Sequence, residues 1–496
     1  MKGKFRSTIL SGLLLWMAIL SASGIVRAEP SNQKELMPGV EAKAEAEACP
    51  IYAPFSTIVN PSPDQGFFWG FQMIGGTNSF YPWLKADLET RLAQAARDIR
   101  GAGAGWTRAY LIWADVEPKV KKENFSRYLG KKDYPTREQV TDQMIEDYAF
   151  NQGAWSGENV LAWNRYDCLV KNMTDNGVGI FLNLGLEDDW AMPVEAESGK
   201  KLDPGLTGQD QYLGLLYLHC RAAVRRYGPR VQYYQLEDEL NAGYLRGVVF
   251  YKVRQGWIWR SEEFKGKLLQ TMSDAVLEEG NRLNLRMYRM IFLHTFLSDP
   301  ILRTYKHYAV KWAKYYDLLG LDIYPNSYTI GLIPETSASI SFQINRAVKT
   351  LERAGYQVGK DKFVYVSETS YPTQPWQRGY NEKNQAVAIR AAIAGKKHFG
   401  KGILGTKASG FCWGALTGTE RASTHWLKPG YTDSFMGIVK PDCGAGTRGA
   451  DTSALAKAGA DELVCAQIRY PAAYQALKQA IENSGRAPQR YPSSPK

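Results

Sequence analysis

Short apolar runs alternate with longer amphipathic segments along most of the chain. Short apolar runs predict buried strands, and apolar residues at intervals of three and four predict helices that bury one face. The run at 363–366, which leads to Glu368, is of the first kind, and the segment 87–100, which stops before Gly101, is of the second. Strands that alternate with helices favour an α/β fold built on a parallel sheet.

Eight strands can be placed in this way, and one large domain at 66–484 contains them. The polar stretch 119–156 is predicted to be a loop that shapes a binding groove, because long surface loops often do so. Residues 29–65 are expected to form an extension, either a tether or a wrapping arm, and 485–496 a C-terminal tail. The strands are predicted at 67–72, 106–113, 178–183, 231–236, 287–292, 316–325, 363–368 and 410–414, and helices at 87–100, 158–175, 212–227, 242–281 and 384–400.

Two of the predicted strands end in carboxylates. The strand at 363–368 delivers Glu368 to its tip, and the run that starts at Val231 ends in Glu237, Asp238 and Glu239. If that strand continues through the acids, Glu237 and Glu239 face one way and Asp238 the other. A single acid at a strand end is often satisfied by a nearby arginine or by backbone, but two such ends in one chain suggest a shared task.

These two segments resemble those of clan A glycoside hydrolases. The run Asp238-Glu239-Leu240-Asn241 is similar to the Asn-Glu-Pro-Asn motif after their fourth strand, and 366–373 is similar to their Thr-Glu-Thr-Gly-Trp/Tyr-Pro run after the seventh. The resemblance covers about 65–484 and implies a (β/α)8 TIM barrel with long βα-loop insertions and an N-terminal extension. It further implies that Glu239 is the acid/base and Glu368 the nucleophile.

The same resemblance assigns binding roles to three other residues. It places an arginine on strand 2, a Tyr-Pro pair after strand 6 and a tryptophan at the end of strand 8, which are Arg108, Tyr324 and Trp413 here. Arg108 would keep Glu368 ionised, Tyr324 would donate its hydroxyl to Glu368, and Trp413 would stack under a sugar ring. The structural alternatives are an arginine at the barrel floor, a satisfied core tyrosine and a core aromatic that closes the barrel.

Three further residues are candidates for substrate binding. Trp113 ends the second predicted strand, and His294 follows the fifth, where a structural histidine is the alternative. Asp238 stands where the clan has asparagine. Asparagine donates to the sugar 2-hydroxyl, whereas an ionised aspartate can only accept, so Asp238 fits either a different substituent or a loss of activity.

The resemblance therefore implies a secreted retaining glycoside hydrolase, a β-glycosidase or endo-glycanase that acts on a poly- or oligosaccharide. Two carboxylates would carry out a double displacement through a covalent intermediate. The alternative is a non-catalytic carbohydrate-binding barrel derived from such an enzyme. A nucleotide-dependent oxidoreductase is disfavoured because no GxGxxG follows a strand, and with five histidines no metal-ligand set stands out, so no cofactor or metal is expected.

The N-terminus has a basic start, an apolar stretch from 8 to 26 and small residues before a potential cut after Ala28. This predicts a signal peptide at 1–28 and a secreted or periplasmic protein, with an uncleaved anchor as the alternative. No later segment is apolar enough for stable membrane insertion. The net charge of +11 includes no Lys/Arg-rich run, so nucleic acid is not an expected partner, whereas attraction to an anionic polysaccharide is open.

An even number of cysteines after a signal peptide favours disulfides. Cys443 and Cys465 bracket a Gly/Ala/Thr-rich insertion and are the first predicted pair, and Cys168 could pair with Cys220. Cys412, inside a predicted strand, is expected to be a buried free thiol. That assignment would leave Cys49 unpaired.

Overall fold

A computed structural model describes residues 49–72, 86–185, 192–241, 261–295, 304–324, 337–373, 380–395, 401–417, 437–442 and 467–492. The predictions for the signal peptide, for residues 29–48 of the extension and for the pair Cys443 and Cys465 lie outside these ranges. Among the described residues, no helix has both the length and the apolar character needed to cross a bilayer.

Eight parallel strands form a closed barrel in which sequence neighbours are also spatial neighbours, and β1 pairs with β8 to close it. This confirms the predicted (β/α)8 fold, in which helices follow the strands and cover the barrel. The strands are β1 (Phe68–Gln72), β2 (Trp106–Tyr110), β3 (Gly179–Asn183), β4 (Tyr233–Gln235), β5 (Tyr288–His294), β6 (Leu318–Asp322), β7 (Phe363–Glu368) and β8 (Gly410–Gly414).

Seven long helices accompany the strands within the described ranges. They are α1 (Leu88–Gly101), α2 (Asn164–Asp175), α3 (Gln209–Tyr227), α4 (Glu262–Leu283), α5 (Ser337–Arg353), α6 (Glu382–Ala394) and α7 (Ala472–Glu482). Shorter helices lie at Trp113–Val116, Lys122–Leu129, Asp142–Phe150 and Pro204–Thr207, a π-helix at Thr304–Ala309, and 3₁₀ turns at Arg137–Gln139, Gly153–Trp155, Gly157–Asn159, Ala313–Tyr315 and Ile403–Gly405. Two short ribbons pair Lys119–Val120 with Val194–Glu195, and Lys440–Asp442 with Gln467–Arg469.

Helix α1 shows how the sequence specifies these elements. The side chain of Asp87 accepts a hydrogen bond from the Thr90 backbone N–H at 2.7 Å and caps the first turn. Leu88, Leu92 and Ile99 are fully or almost fully buried at helical spacing, so one face of the helix packs on the barrel. Burial of each such side chain contributes about 1.5–3 kcal/mol.

Three predicted strands extend well beyond the observed ones, and one of these is the strand predicted at 316–325, where β6 covers only Leu318–Asp322. Strand β2 ends at Tyr110, and Trp113 instead starts a helical turn; β4 ends at Gln235, before the acids. The Gln235 side chain donates to the carbonyl of Glu237 at 2.9 Å, so the chain turns there. The predicted strand alternation of Glu237, Asp238 and Glu239 is therefore wrong, because these residues occupy a turn.

The polar stretch 119–156 was wrongly predicted to be a loop. It forms helices whose apolar side chains join the main core, and its acids face basic residues of α3. Arg225 of α3, for example, is paired with Asp142 and, at 3.0 Å, with Glu146. The polar composition of this insertion thus reflects ion pairing against the barrel helices.

The barrel interior is aromatic at the amino ends of its strands. Phe68, Trp106, Phe181 and Tyr233 are fully buried there, and the Phe68 and Trp106 rings meet edge-on with centroids 5.0 Å apart. Edge-to-face rings of this kind add to the energy of apolar burial. This end of the barrel is a packed aromatic core.

Segments near both ends of the described residues complete this floor. The indole of Trp106 donates to the carbonyl of Gln489 at 3.1 Å, and the Tyr491 hydroxyl donates to the carbonyl of Arg230 at 2.8 Å. On the other side, the Asn60 backbone N–H donates to the Gln232 side chain at 2.6 Å. The segments around 58–61 and 487–491 are thus built into the barrel.

One disulfide links Cys49 to Cys168 and ties the segment before β1 to α2. The possible pair Cys168 with Cys220 and the unpaired state of Cys49 were therefore wrong. Cys220 and Cys412 are buried free thiols, as predicted for Cys412. Burial raises the pKa of Cys412 to about 12, so this thiol stays neutral.

Candidate active site

Polar side chains collect at the carboxyl ends of the strands, opposite the aromatic floor. Strand pairing sets Tyr110 beside Asn183, Asn183 beside Gln235, and His294 beside Asp322, which in turn lies beside Glu368. This end of a (β/α)8 barrel is where active sites lie. The fold therefore brings the acids of β4, β6 and β7 to one end.

Arg108 is the centre of this group. It is fully buried on β2 and donates from Nε to Gln235 Oε1 at 2.8 Å, from Nη1 to Glu368 Oε2 at 2.7 Å and from Nη2 to Asp238. Its guanidinium carbon also lies 4.1 Å from the ring centroid of Phe292. The ion pair with Glu368 is the contact expected from the sequence.

The charge of Arg108 is secured by its neighbours. Burial acts to lower the pKa of Arg108, but the charges on Asp238 and Glu368 outweigh it and hold that pKa well above its usual range. A guanidinium has fixed, planar donors, so one side chain can orient three acceptors at once. Arg108 thus fixes the relative positions of residues from β2, β4 and β7.

Asp238 is held by three donors. Besides Arg108, it accepts from Gln235 Nε2 at 2.9 Å and from the Tyr110 hydroxyl at 3.3 Å. An asparagine at this position would turn one acceptor oxygen into a donor group facing these donors. The aspartate that departs from the clan pattern therefore matches its local partners.

Glu239 adopts a left-handed backbone conformation, with φ of 43°. Non-glycine residues rarely do so, and such strain is concentrated at functional sites. The turn directs Glu239 Oε1 to His294 Nδ1, at 2.5 Å. Asn241 supports the pair, because its side chain accepts from the His294 N–H and donates to the His294 carbonyl, both at 3.0 Å.

The two glutamates are the most accessible acids of the cluster. The side chain of Glu368 is 13% exposed and that of Glu239 is 8% exposed, whereas that of Asp238 is 2% exposed and Asp322 is fully buried. An incoming molecule can therefore reach the two glutamates before the two aspartates.

The two glutamates lie at the same end of the barrel, because Glu239 contacts His294, His294 lies beside Asp322 and Asp322 lies beside Glu368. Burial raises the pKa of Asp322 well above its usual range, and the charges on Glu368 and then Glu239 raise it further. Both glutamates therefore act on the same buried carboxyl. They do not lie at opposite ends of the fold.

The structure places two predicted binding residues elsewhere. The Trp113 indole lies 3.3 Å from Glu117 Oε2 and stacks on the His219 ring at 5.2 Å, in the layer between barrel and helices. Trp413 lies in the same layer next to Phe411, because the inward positions of β8 are taken by Cys412 and its glycine neighbours. The structural alternative thus holds for the Trp413 ring.

Tyr324 is 5% exposed and lies two residues beyond the end of β6. Its predicted donation to Glu368 stays a prediction. Its neighbour in the Tyr-Pro motif, Pro325, lies outside the described residues.

Several residues of the site were missed by the sequence analysis. They are the inward polar residues Gln72, Asn183, Gln235 and Asp322 at the strand ends, together with Ser367, which donates to Asp322 Oδ1 at 2.5 Å. Strand alternation from Arg108 predicts the inward face of Tyr110. A search for polar residues at every strand end would have found the rest.

Within the described ranges, no group of three or more His, Cys, Asp or Glu side chains is arranged to hold a metal ion. The arrangement is instead suited to acid/base and nucleophilic chemistry by carboxyl groups. Two glutamates with different partners, one an arginine and one a histidine, can hold different protonation states.

No protein-family model matches the sequence, and no curated protein matches it. Solved structures match the fold. A GH5_18 protein from Streptomyces cattleya, solved in complex with GlcNAc, is 13% identical with a TM-score of 0.50, over 86% of this chain and 81% of that one. Fpglu1 from Fervidobacterium pennivoraus is 11% identical with a TM-score of 0.50, over 84% of this chain and 96% of that one. At such identity the likeness shows the shared barrel fold alone.

Proposed function

We propose that the protein is a retaining glycoside hydrolase, with Glu239 as acid/base and Glu368 as nucleophile. The observation that carries the proposal is the buried Arg108, which binds Glu368 and Asp238 at the carboxyl end of the barrel while Glu239 contacts His294. The motif resemblance and the shared fold of the GH5_18 structure support the same conclusion.

Glycosidic bond cleavage needs a proton on the leaving oxygen and a negative charge next to the anomeric carbon. The ion pair with Arg108 favours an ionised Glu368 and orients its carboxylate. Asp238 holds Arg108 from the other side. These contacts prepare Glu368 to act as a nucleophile.

Glu239 is prepared as a proton donor. A contact of 2.5 Å between its Oε1 and His294 Nδ1 requires a proton on one of the two atoms. That proton lies next to the accessible face of Glu239. In the first step Glu239 protonates the leaving oxygen as Glu368 attacks, and in the second it takes a proton from the water that releases the sugar.

The proposed substrate is a β-linked poly- or oligosaccharide outside the cytoplasm. The predicted signal peptide supports secretion, and the disulfide between Cys49 and Cys168 is typical of an oxidising compartment. The alternative is a barrel, derived from such an enzyme, that binds carbohydrate without hydrolysing it. Covalent labelling distinguishes the hydrolase from this binding protein.

The test is covalent trapping with 2-deoxy-2-fluoro β-glycosyl fluorides of gluco, manno and galacto configuration, followed by peptide mapping. We expect the label on the peptide that contains Glu368, and none in Glu368→Gln. The matched control is Glu352→Gln, which changes an exposed acid of α5 and should label normally. Label on another peptide would refute the assigned nucleophile, and carbohydrate binding without label or hydrolysis would establish the non-catalytic alternative.

A further inference from the structure

Among the residues that the structure describes, the acid cluster holds more carboxyl groups than cations, even when His294 is counted as a cation. Asp238, Glu239, Asp322 and Glu368 are buried or mostly buried around the single guanidinium of Arg108. Burial of unpaired charge is costly, and proteins avoid it by keeping such groups neutral. The proton shared by Glu239 and His294 neutralises one of these acids, so at least one of the other three must also hold a proton in the folded protein.

Three of the acids have strong partners. Asp238 accepts from Arg108, Gln235 and Tyr110, Glu368 accepts from Arg108, and Glu239 contacts His294.

Asp322 has the weakest set of donors. Its Oδ1 accepts from the Ser367 hydroxyl at 2.5 Å, while its Oδ2 is buried and has no hydrogen-bond partner among the described residues. An ionised oxygen without a donor is the least favourable case, whereas a protonated one is tolerated. Asp322 is therefore the acid of the cluster in which a proton is most favoured.

The elements packed around Asp322 supply little positive charge. The neighbouring Tyr365 and Cys412 are buried, and burial raises the pKa of each, so both are neutral. In the described part of the chain, the one guanidinium near Asp322 is already shared by two other acids. The described titratable or charged groups that face Asp322 are Arg108 from β2, Asp238 and Glu239 after β4, His294 from β5, Tyr365 and Glu368 from β7, and Cys412 from β8.

We propose that Asp322 is a positioning residue that stays protonated in the working enzyme and carries the surplus proton of the acid cluster. Its neutral carboxyl accepts from Ser367, the residue next to Glu368, where the pairing of β6 and β7 is irregular and sets Asp322 opposite Glu368. Asp322 thereby orients the end of β7 without placing another negative charge between the two glutamates. The role in orientation rests on the proposed function, but the protonation state does not.

Burial and the charges of Glu368 and Glu239 raise the pKa of Asp322 well above its usual range, in agreement with a neutral carboxyl. Replacement by asparagine keeps the shape, the acceptor and a donor, and removes only the ability to ionise. Replacement by alanine also removes the acceptor for Ser367. The two substitutions therefore separate the charge of Asp322 from its position.

The first experiment is infrared spectroscopy of the full chain at pH 8, where a protonated carboxyl has a carbonyl band that an ionised one lacks. We expect this band to weaken in Asp322→Asn. Asp317→Asn is the matched control, because Arg289 binds Asp317 at 3.0 Å and, despite burial, holds the pKa of Asp317 below its usual value. Loss of only a carboxylate band in Asp322→Asn would overturn the proposal.

The second experiment compares the pH profile of labelling by the reactive fluoro-glycoside. In Asp322→Asn the acidic limb of the labelling profile should stay at the wild-type pH, because a neutral amide replaces a neutral acid. Asp322→Ala should label at least about tenfold more slowly, because Ser367 and Glu368 lose their support. An acidic limb shifted by about one pH unit in Asp322→Asn would show an ionised Asp322 and refute the proposal.

The two experiments test the protonation state and the hydrolase function independently of each other. A protonated Asp322 in a chain that no fluoro-glycoside labels would overturn the proposed hydrolase function and leave the protonation state established. An ionised Asp322 in a chain labelled at Glu368 would do the reverse.

Discussion

A single guanidinium organises the site because its geometry can serve three acceptors. Arg108 contacts Gln235 at the end of β4, Asp238 in the turn that follows it, and Glu368 on β7, which is distant in sequence. The aromatic rings of Phe292 and Tyr110 complete its surroundings, so little water competes for these contacts. The orientation of Glu368 therefore depends on the shape of the Arg108 side chain as well as on its charge.

Arg108→Lys tests this dependence. A lysine ammonium is a point donor that cannot hold the three acceptors in one plane, so we expect the rate of labelling at Glu368 to fall by at least about a hundredfold. Arg127→Lys, on an exposed position of the insertion, is the control and should label at the wild-type rate. A folded Arg108→Lys variant with wild-type rates would contradict the proposed positioning.

A second residue-scale prediction concerns Glu117, which lies away from the acid cluster. Burial raises the pKa of Glu117 to about 7, although the Tyr148 hydroxyl donates to it at 2.8 Å. The folded protein therefore binds a proton that the unfolded chain releases above about pH 4.3, so this group lowers stability as pH rises from about 4.3 to 7.

Glu117→Gln removes that titration. The melting temperature of the variant relative to the wild type should be higher at pH 8 than at pH 5, by an amount that reflects a few kcal/mol at most. Thermal unfolding followed by circular dichroism at both pH values measures this difference. An equal offset at the two pH values would show that Glu117 does not titrate between them.

At the scale of elements, the link between Cys49 and Cys168 fastens the segment before β1 to α2 across 119 residues of sequence. Closing a loop of about 100 residues is worth about 4.7 kcal/mol in the chain-entropy account, and measured values are typically about 2–4. Cys49→Ser should therefore lower the melting temperature markedly, whereas under reducing conditions the wild type should approach the variant. Thermal unfolding with and without reductant would show no such convergence if the two cysteines were unlinked.

Element boundaries and strand faces show what sequence can and cannot specify here. Apolar runs located all eight strands, and β8 has the predicted bounds, because a buried strand must be apolar. The same rule failed for Trp413, since both faces of a barrel strand are buried and apolar character does not distinguish inside from outside. Trp113 was misplaced for a related reason, because a helical turn in the core is as apolar as a strand.

Polar residues were predicted best where they form a motif. Arg108, Asp238, Glu239 and Glu368 were recognised, and the structure gathers them with His294. Asp322 was passed over because an aspartate near a strand end is also typical of an exposed turn. Its significance depends on the charges around it, which only the three-dimensional arrangement reveals.

On the scale of the whole molecule, the barrel includes both ends of the described chain. Tyr491 packs with the aromatic floor, and Gln489 accepts from Trp106 and pairs through its backbone with Phe67. The predicted boundary at 484 therefore cuts through the folded unit. The tail from 485 onward is a structural part of the domain as far as residue 492.

Truncation tests this conclusion. A chain that ends at residue 484 would expose the floor and leave the Trp106 indole unpaired, so we expect a lower melting temperature or insoluble protein. A chain that ends at residue 492 keeps every described contact and should behave as the full chain does. Equal stability of the two truncated chains would show that the tail contributes nothing.

The packed aromatic floor also determines at which end of the barrel a ligand can bind and leave. Because Phe68, Trp106 and Tyr233 fill the amino end of the barrel, a ligand of Glu239 and Glu368 would bind and leave at the carboxyl end. In a two-step hydrolysis the first product would have to leave the carboxyl end of the barrel before water could take its place. A ligand that stays bound at the carboxyl end of the barrel would therefore slow the second step and favour transfer of the sugar to itself.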